Sequence, residues 1–204
     1  MKYTSILLLL AIYITSCNSK NNNYTQEIQQ FQYKMNTEFA DANKSPLTEK
    51  DIKTFKSLDF FPINENYKVE ATLKLTPNEP VFEMKTTSDR LPLYKKYGEL
   101  SFEINGKPCL LSVFQNQGQL NSFEYNNLLF LPFSDLTNNK TTYAGGRYLD
   151  LETPTKGKTT IILDFNKAYN PYCAYNHDFS YPVPPAENNL QVAIEAGVKK
   201  YKLH

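Results

Sequence analysis

Tryptophan is absent from this sequence, and cysteine, histidine and net charge are all scarce. The 204 residues include 3 Cys and 2 His, and the formal net charge is +1. So few Cys and His side chains offer no cluster of metal ligands, and we predict neither a bound metal nor another cofactor. The even charge balance gives no electrostatic attraction to nucleic acid, which we exclude as a partner. The 15 Tyr and 13 Phe residues instead suit a protein built from β-sheets.

Long apolar runs are also missing, with one short exception near the amino terminus. Residues 6–14 are apolar and uncharged, and Lys2 precedes them. A membrane-spanning helix needs about 20 apolar residues, so this run is typical of a secretory signal peptide. The small residues Thr15 and Ser16 then precede Cys17, as in lipoprotein precursors that are cut before a cysteine and lipidated on its sulfur. An ordinary signal peptide with a chance cysteine is the alternative.

The first hypothesis makes Cys17 the lipidation site of a bacterial lipoprotein in the cell envelope. Residues 1–16 are then the signal peptide, residues 17–23 a polar tether and residues 24–204 a single domain. In enteric bacteria an Asp directly after the cysteine retains a lipoprotein at the inner membrane, and Asn18 occupies that position here. We therefore expect an outer-membrane location facing the periplasm, with the membrane as partner through acyl chains such as palmitate.

Two helices are predicted before the first strand. Between residues 24 and 42 the apolar side chains recur at spacings of three and four, which lines one helix face. These side chains are Ile28, Phe31, Met35 and Phe39. Thr48, with Asp51 three positions later, resembles a capping box and predicts a second short helix. Its apolar face would consist of Ile52, Phe55 and Leu58.

After residue 65 the apolar period changes to two, which is typical of half-buried strands. Asn105 and Gly106 accept the positive φ angles of a type I′ turn and predict a hairpin. About eight strands are predicted, at residues 67–75, 81–86, 100–104, 109–114, 128–133, 147–151, 159–165 and 190–194. The fold class is therefore mostly β (α+β), with an antiparallel β-sandwich or partly open barrel preceded by the two helices.

If Cys17 is lipidated, Cys109 and Cys173 are the two remaining cysteines. The periplasm permits a disulfide between them. Their spacing in the sequence does not decide between a disulfide and two buried thiols, so both alternatives stay open.

Polar and aromatic residues are densest between residues 130 and 190. One block reads Gly-Gly-Arg-Tyr at residues 145–148, and another reads Asp-Phe-Asn-Lys-Ala-Tyr-Asn-Pro-Tyr-Cys-Ala-Tyr-Asn at residues 164–176. Together with the proline-rich stretch that follows, they resemble domain-of-unknown-function family 1684, over about residues 31–200. The resemblance implies an uncharacterised bacterial lipoprotein family and no known activity. Tyr181 stands where that family usually carries a second cysteine, so no two-cysteine site carries over.

The same segment supplies the candidate ligand site. A glycine pair followed by Arg147 suits an anion, although a structural ion pair with a carboxylate such as Asp164 is the alternative. Tyrosines around a few polar groups are typical of a small-molecule or sugar site. Short polar side chains that cap backbone groups are again the alternative. The predicted pocket takes a small anionic or sugar-like ligand and contains Arg147, Asp164, Asn166, Tyr169, Asn170, Cys173 and Tyr175.

Two other functions stay open, and the sequence decides neither whether the protein is an enzyme nor which residue is catalytic. A hydrolase of an envelope component would use Cys173 with His177, or a pair of carboxylates. The carboxylates near this segment are Asp135, Asp150, Asp164 and Glu187. A metal site from Cys173, His177 and Asp178 lacks a second ligand cluster. A purely structural interaction module is the remaining possibility.

Overall fold

The computed structural model describes the backbone of residues 15–201 and the side chains of residues 22–201. The predicted signal peptide lies almost wholly outside the described residues, and so does the side chain of Cys17. Among the helices of this part of the chain, none has the length and apolar character of a membrane span. Its helices and strands are α1 (Thr15–Ala40), α2 (Glu49–Ile52), β1 (Lys68–Leu75), β2 (Val81–Glu83), β3 (Leu93–Ile104), β4 (Lys107–Asn116), β5 (Leu128–Phe133), β6 (Arg147–Glu152) and β7 (Thr160–Asp164).

The strands form one antiparallel sheet in the order β6-β5-β4-β3-β1-β7, and β2 pairs with the first residues of β3. This sheet curls into a half-barrel. The structure therefore confirms the predicted mostly β class and, of the two architectures considered, the partly open barrel. Asn105 and Gly106 join β3 to β4 with φ angles of 51° and 75°, as a type I′ turn requires.

One face of the sheet carries the main apolar core. Leu73, Leu100, Leu111, Leu131 and Leu149 are all buried there, one from each of five neighbouring strands. Burial of a side chain of this size contributes about 1.5–3 kcal/mol to folding. Alternate residues of the same strands point to the opposite face because the side-chain period of a strand is two.

Helix α1 presents the face that its spacing predicts. Ile28 and Phe39 are buried, and Phe31 and Met35 are half-buried. Phe39 packs in a second apolar cluster with residues from the carboxyl-terminal part of the chain. The helix is therefore held to the domain by the predicted apolar face.

The predicted second helix is wrong beyond its first turn. Thr48 caps α2 as expected, because its hydroxyl accepts a hydrogen bond from the Asp51 N–H at 3.1 Å. However, α2 ends at Ile52. The backbone N–H of Leu58 instead donates to the side chain of Asn36 in α1, at 2.7 Å. Contact with α1 thus replaces the helical hydrogen bonds that the local pattern predicts.

The eighth predicted strand, residues 190–194, is also wrong, although its three apolar residues do alternate into the core. Its backbone bonds to loops and side chains rather than to a strand. The Leu190 N–H donates to the Ser134 carbonyl at 2.8 Å, and the Ile194 N–H donates to the Asp135 carboxylate at 3.1 Å. The alternation of apolar residues here therefore indicates which side chains are buried, although the segment is not a strand.

Asn188 fills a gap between β4 and β5. The register that pairs Phe114 with Phe130 brings Ser112 opposite Pro132, which has no N–H to donate. The fully buried Asn188 side chain inserts here: its Oδ1 accepts from the Ser112 N–H at 2.7 Å. Its Nδ2 donates to the carbonyls of Ser112 at 2.8 Å and Pro132 at 2.7 Å. One amide side chain replaces the strand-to-strand bonds that proline removes.

Candidate functional site

The glycine pair of the first sequence block bends the chain into β6, where Arg147 is the first residue. Gly146 has a φ of +93°, and a Cβ at this position would lie 2.7 Å from the Phe133 carbonyl oxygen. Only glycine fits both the backbone angle and the close approach. After this turn the Arg147 side chain points into the protein interior, where it is 0% exposed.

Other groups of the protein accept hydrogen bonds from the guanidinium of Arg147. Its acceptors are Asp135 Oδ2 at 2.9 Å and the backbone carbonyls of Ile194 at 2.7 Å, Ala196, and Val198 at 3.4 Å. Asp135 therefore takes the place that the sequence reading gave to Asp164 as the structural partner. The bonds fasten the carboxyl-terminal part of the chain to β6 and remove the guanidinium from solvent.

Asp164 and Asn166 tie helix α1 to the sheet. The Tyr24 hydroxyl donates to Asp164 Oδ1 at 2.9 Å and accepts from Asn166 Nδ2 at 2.8 Å. Asn166 also donates to the Asn64 carbonyl at 2.9 Å. Burial and the neighbouring carboxylate raise the pKa of Tyr24 above its usual value, so the phenol stays protonated as a donor. All three side chains of this network are buried.

Asn170, Cys173 and Tyr175 form a third buried cluster. Asn170 Nδ2 donates to the Lys199 carbonyl at 2.9 Å and to the Tyr175 hydroxyl at 3.3 Å. The Cys173 sulfur lies 3.9 Å from the Tyr143 hydroxyl. These contacts hold the loop after β7 against the carboxyl-terminal part of the chain.

Cys109 and Cys173 are both free thiols, so the disulfide that the sequence leaves open is not formed. Both are buried, which matches the alternative of two buried thiols. Burial raises the pKa of the Cys109 thiol in β4, which disfavours its reactive thiolate form.

The seven predicted ligand residues thus lie in separate clusters rather than around one pocket. Arg147, Asp164, Asn166 and Asn170 have buried polar side chains that bond to other parts of the fold. Ligand binding by the seven stays a prediction. Tyr169 differs from the other six because it is half-buried and its hydroxyl reaches an exposed carboxylate.

That carboxylate belongs to Asp150, in the edge strand β6 and on the face opposite the main core. The Tyr169 hydroxyl donates to Asp150 Oδ1 at 2.9 Å. Phe130 of the neighbouring strand β5 lies directly opposite Asp150. Surrounding protein desolvates the carboxylate and raises its pKa, against the opposing effect of the Tyr169 hydrogen bond. Desolvation, followed by the charge of Asp150, raises the pKa of Tyr169 well above its usual value.

Aromatic rings surround Asp150, and we call this surface the Asp150 face. Its members are Asp150, Tyr94, Phe130, Tyr148, Tyr169 and Tyr181. Tyr148 and Tyr181 stack with centroids 5.8 Å apart and an interplanar angle of 13°. Phe130 and Tyr169 pack edge-on against Tyr148 at 4.9 Å and 5.8 Å. Tyr169 and Tyr181 are half-buried, so partly open tyrosine rings stand beside the carboxylate.

Asp150 forms no ion pair with any residue in the range 22–201. The positive charge of Arg90 does act on two tyrosines of the face. Arg90 donates to the Ser180 carbonyl at 3.0 Å and lowers the pKa of Tyr94 and Tyr181, although burial raises both pKa values more strongly. Within the same range, no group of three or more His, Cys, Asp and Glu residues is placed to hold a metal ion.

Two surface depressions lie away from the Asp150 face. One of about 360 Å³ is lined by residues 75–79, and one of about 340 Å³ is lined by residues 107–110 and 189–192. Neither lining contains an aromatic side chain, so neither depression has the tyrosines that the predicted site requires beside its polar groups. The Asp150 face differs from both, because it is a surface rather than the pocket that the sequence predicts.

Sequence reasoning missed most of this face. The predicted pocket includes Tyr169, Asp150 is only one of four candidate carboxylates, and neither set includes Tyr94, Phe130, Tyr148 or Tyr181. One signal was available in the alternation within β6. Because Arg147 and Leu149 point into the core, Tyr148 and Asp150 share the other face.

Comparisons with known proteins agree with this fold. A family model described as a protein of unknown function, DUF1684, matches residues 53–199, which include all the strands and the Asp150 face. The solution NMR structure of an uncharacterised protein from Haloarcula marismortui is similar, with a TM-score of 0.68 and 30% sequence identity. That similarity covers 89% of this chain and 97% of the other. Among curated proteins, none matches this chain.

Proposed function

We propose that this chain, which belongs to the DUF1684 family of proteins of unknown function, is a lipid-anchored envelope protein whose Asp150 face binds a sugar-like ligand. The observation that carries the binding proposal is the exposed Asp150 carboxylate, held by the Tyr169 hydroxyl at 2.9 Å among tyrosine rings. A carboxylate accepts hydrogen bonds from sugar hydroxyls, and the faces of aromatic rings pack against the apolar C–H surface of a sugar ring. A few placed polar groups among aromatic side chains are typical of ligand sites.

The same contacts disfavour a small anionic ligand, the other class that the sequence predicts. Arg147 was the cation expected to bind it, and its guanidinium is 0% exposed and bonded to Asp135. An anion at the Asp150 face would meet a like charge. A hydroxyl-rich ligand therefore fits this face better than an anion does.

Three of the six groups named for a hydrolase are buried in the fold, whereas Asp150, His177 and Glu187 are exposed. Asp135 and Asp164 are buried and hydrogen-bonded, and Cys173 is buried beside Tyr143. One carboxylate pair remains accessible, because Asp150 and Glu152 lie two residues apart on the same face of β6 and both are exposed. Hydrolysis by such a pair is the second candidate function. It predicts that new reducing ends accumulate when the protein is incubated with a glycan.

The anchor proposal rests on Cys17 and on the position of α1. This helix begins at Thr15, and its Tyr24 is fixed to the sheet through Asp164. The seven residue-to-residue steps of the helix from Cys17 to Tyr24 span about 10 Å, at a rise of about 1.5 Å each. A lipid on Cys17 would then keep the domain close to the membrane surface. Two or more acyl chains on this one residue would anchor the protein firmly, because a single chain binds a membrane only weakly.

A titration of neutral oligosaccharides tests the binding proposal. With the Cys17→Ser chain as the soluble protein, we expect saturable chemical-shift changes at residues of the Asp150 face when tetramers of glucose or N-acetylglucosamine are added. Asp150→Ala should weaken the binding at least about tenfold, which corresponds to about 1.4 kcal/mol. Glu103→Gln, which changes an exposed carboxylate on β3, is the matched control. Shifts that spread evenly over the surface would contradict the proposal.

Membrane fractionation tests the anchor separately. The unaltered chain should sediment with membranes and carry acyl chains on Cys17, as measured by mass spectrometry of its amino-terminal peptide. Cys17→Ser should appear in the soluble fraction at full length. Equal membrane association of the two proteins would contradict lipid anchoring.

A further inference from the structure

We propose that the ligand of the Asp150 face carries a protonated amine next to its sugar ring, so that it is an amino sugar rather than a neutral sugar. This inference rests on the proposed sugar-binding function and names the class of sugar. It follows from the charges and hydrogen bonds that the face leaves unsatisfied.

The Asp150 carboxylate has acceptor capacity that the fold does not use. Its hydrogen-bond donor among the described residues is the neutral hydroxyl of Tyr169, on Oδ1. Two other carboxylates in residues 22–201 show the pairing with a cation that Asp150 lacks within this range. Asp135 has Arg147 at 2.9 Å, and Glu27 has Lys167 at 2.6 Å. An ionised carboxylate accepts hydrogen bonds on both oxygens, and an ammonium group is the donor that also balances its charge.

The rings around this carboxylate add to its preference for a cation. The face of an aromatic ring carries negative electrostatic potential, which attracts an ammonium ion within about 6 Å. Three of the four tyrosine hydroxyls are already engaged. Tyr148 donates to the Pro182 carbonyl, Tyr169 donates to Asp150, and Tyr94 accepts from Asn116 at 3.4 Å. Tyr94, Phe130 and Tyr148 are buried, so the rings that a ligand can reach are the half-buried Tyr169 and Tyr181.

The charge nearest to Asp150 on its own strand is also negative. Glu152 lies on the same side of β6 as Asp150, and both residues are exposed. The cation Arg90 acts on Tyr94 and Tyr181, and the charge of Asp150 acts on the same two rings. The two carboxylates on one side of β6 therefore favour a cationic group beside Asp150.

A primary ammonium fits better than a quaternary one. A quaternary ammonium has no N–H to donate, so it would leave the Asp150 oxygens without new hydrogen bonds. The stacked and edge-on rings also pack against one another, at 4.9–5.8 Å between centroids, instead of forming an open cage. Sugar-borne primary amines satisfy both the carboxylate and the ring faces.

Paired probes test the inference in the Cys17→Ser chain at about pH 6, where an amine is protonated. The β-1,4-linked tetramer of glucosamine should bind about ten- to a hundredfold tighter than the tetramer of N-acetylglucosamine, because a charge-assisted hydrogen bond is worth about 1.5–3 kcal/mol. Asp150→Asn should abolish this preference and leave the affinity for the N-acetylated tetramer within about threefold. Tyr169→Phe keeps the carboxylate and should keep the preference. Melting temperatures no lower than that of the unaltered protein, together with dispersed NMR spectra, would establish that the variants are folded.

Three other outcomes overturn the inference in distinguishable ways. Equal affinity for the two tetramers, lost in Asp150→Ala, would refute the amine and leave sugar binding standing. Binding of neither tetramer would refute both proposals. Tighter binding of choline than of glucosamine, each as a monomer, would identify a quaternary ammonium site and refute the amino sugar.

Discussion

Arg147 Nη2 lies 2.9 Å from Asp135 Oδ2, and the side chains of both residues are 0% exposed. The other oxygen of Asp135 accepts from the backbone N–H and the hydroxyl of Thr137, at 2.8 Å and 2.6 Å, and from the Ile194 N–H at 3.1 Å. The pair therefore joins the loop after β5, strand β6 and the carboxyl-terminal part of the chain. A buried pair of this kind costs much to break, because either partner alone is an uncompensated buried charge.

Arg147→Ala should lower the free energy of unfolding by about 3–5 kcal/mol, measured by urea denaturation. Arg90→Ala removes an exposed arginine and should change it by less than about 0.5 kcal/mol. A loss below about 1 kcal/mol for Arg147→Ala would indicate that the guanidinium is available to a ligand instead.

Asn188→Asp should destabilise the protein by at least about 3 kcal/mol. The substitution removes the two N–H donors to the Ser112 and Pro132 carbonyls and buries a negative charge beside them. Asn189→Asp, at the exposed neighbouring position, is the matched control and should cost less than about 1 kcal/mol. Hydrogen exchange should also accelerate at Ser112 in the first variant, and an unchanged rate there would argue against the strand-bridging role.

Tyr24→Phe should lower the free energy of unfolding by about 1–3 kcal/mol, because Asp164 and Asn166 then lose a buried partner. The loss should concentrate in α1, and limited proteolysis should cut this helix faster than the sheet. Tyr33 lies on the same helix and is 67% exposed, so Tyr33→Phe provides the control with little expected effect. Equal proteolysis of the two variants would count against this anchoring of α1.

Asp150→Asn should raise the melting temperature at about pH 7 by roughly 1–3 °C. Desolvation by the surrounding protein raises the pKa of Asp150, so the folded chain holds this proton more tightly than the unfolded chain does. The ionised group therefore costs stability above its raised pKa, and this cost disappears as the pH falls through that pKa towards the usual range of Asp. The difference between the two proteins should accordingly shrink at about pH 4. A variant that is less stable at neutral pH would show that the carboxylate serves the fold.

Much of the scaffold follows from local sequence. Alternation and short apolar runs predict seven strands that the structure contains, and the spacing of Ile28 and Phe39 predicts the buried face of α1. Asn105 and Gly106 predict the hairpin turn because their backbone angles are a property of the residues themselves. The two polar blocks indicate the family, which the match to residues 53–199 confirms. The lipid anchor at Cys17 stays a prediction from the sequence.

Tertiary structure alone decides which polar groups meet. The sequence offers several carboxylates to Arg147, and only the approach of the loop after β5 selects Asp135. Residues far apart in the chain likewise bring Tyr169 to Asp150, and Asn188 to Ser112. Periodicity records which side chains are buried, since burial repeats with the local geometry of a strand or helix. It carries no information about long-range partners, and these partners determine that Arg147 holds the fold while Asp150 keeps an exposed carboxylate.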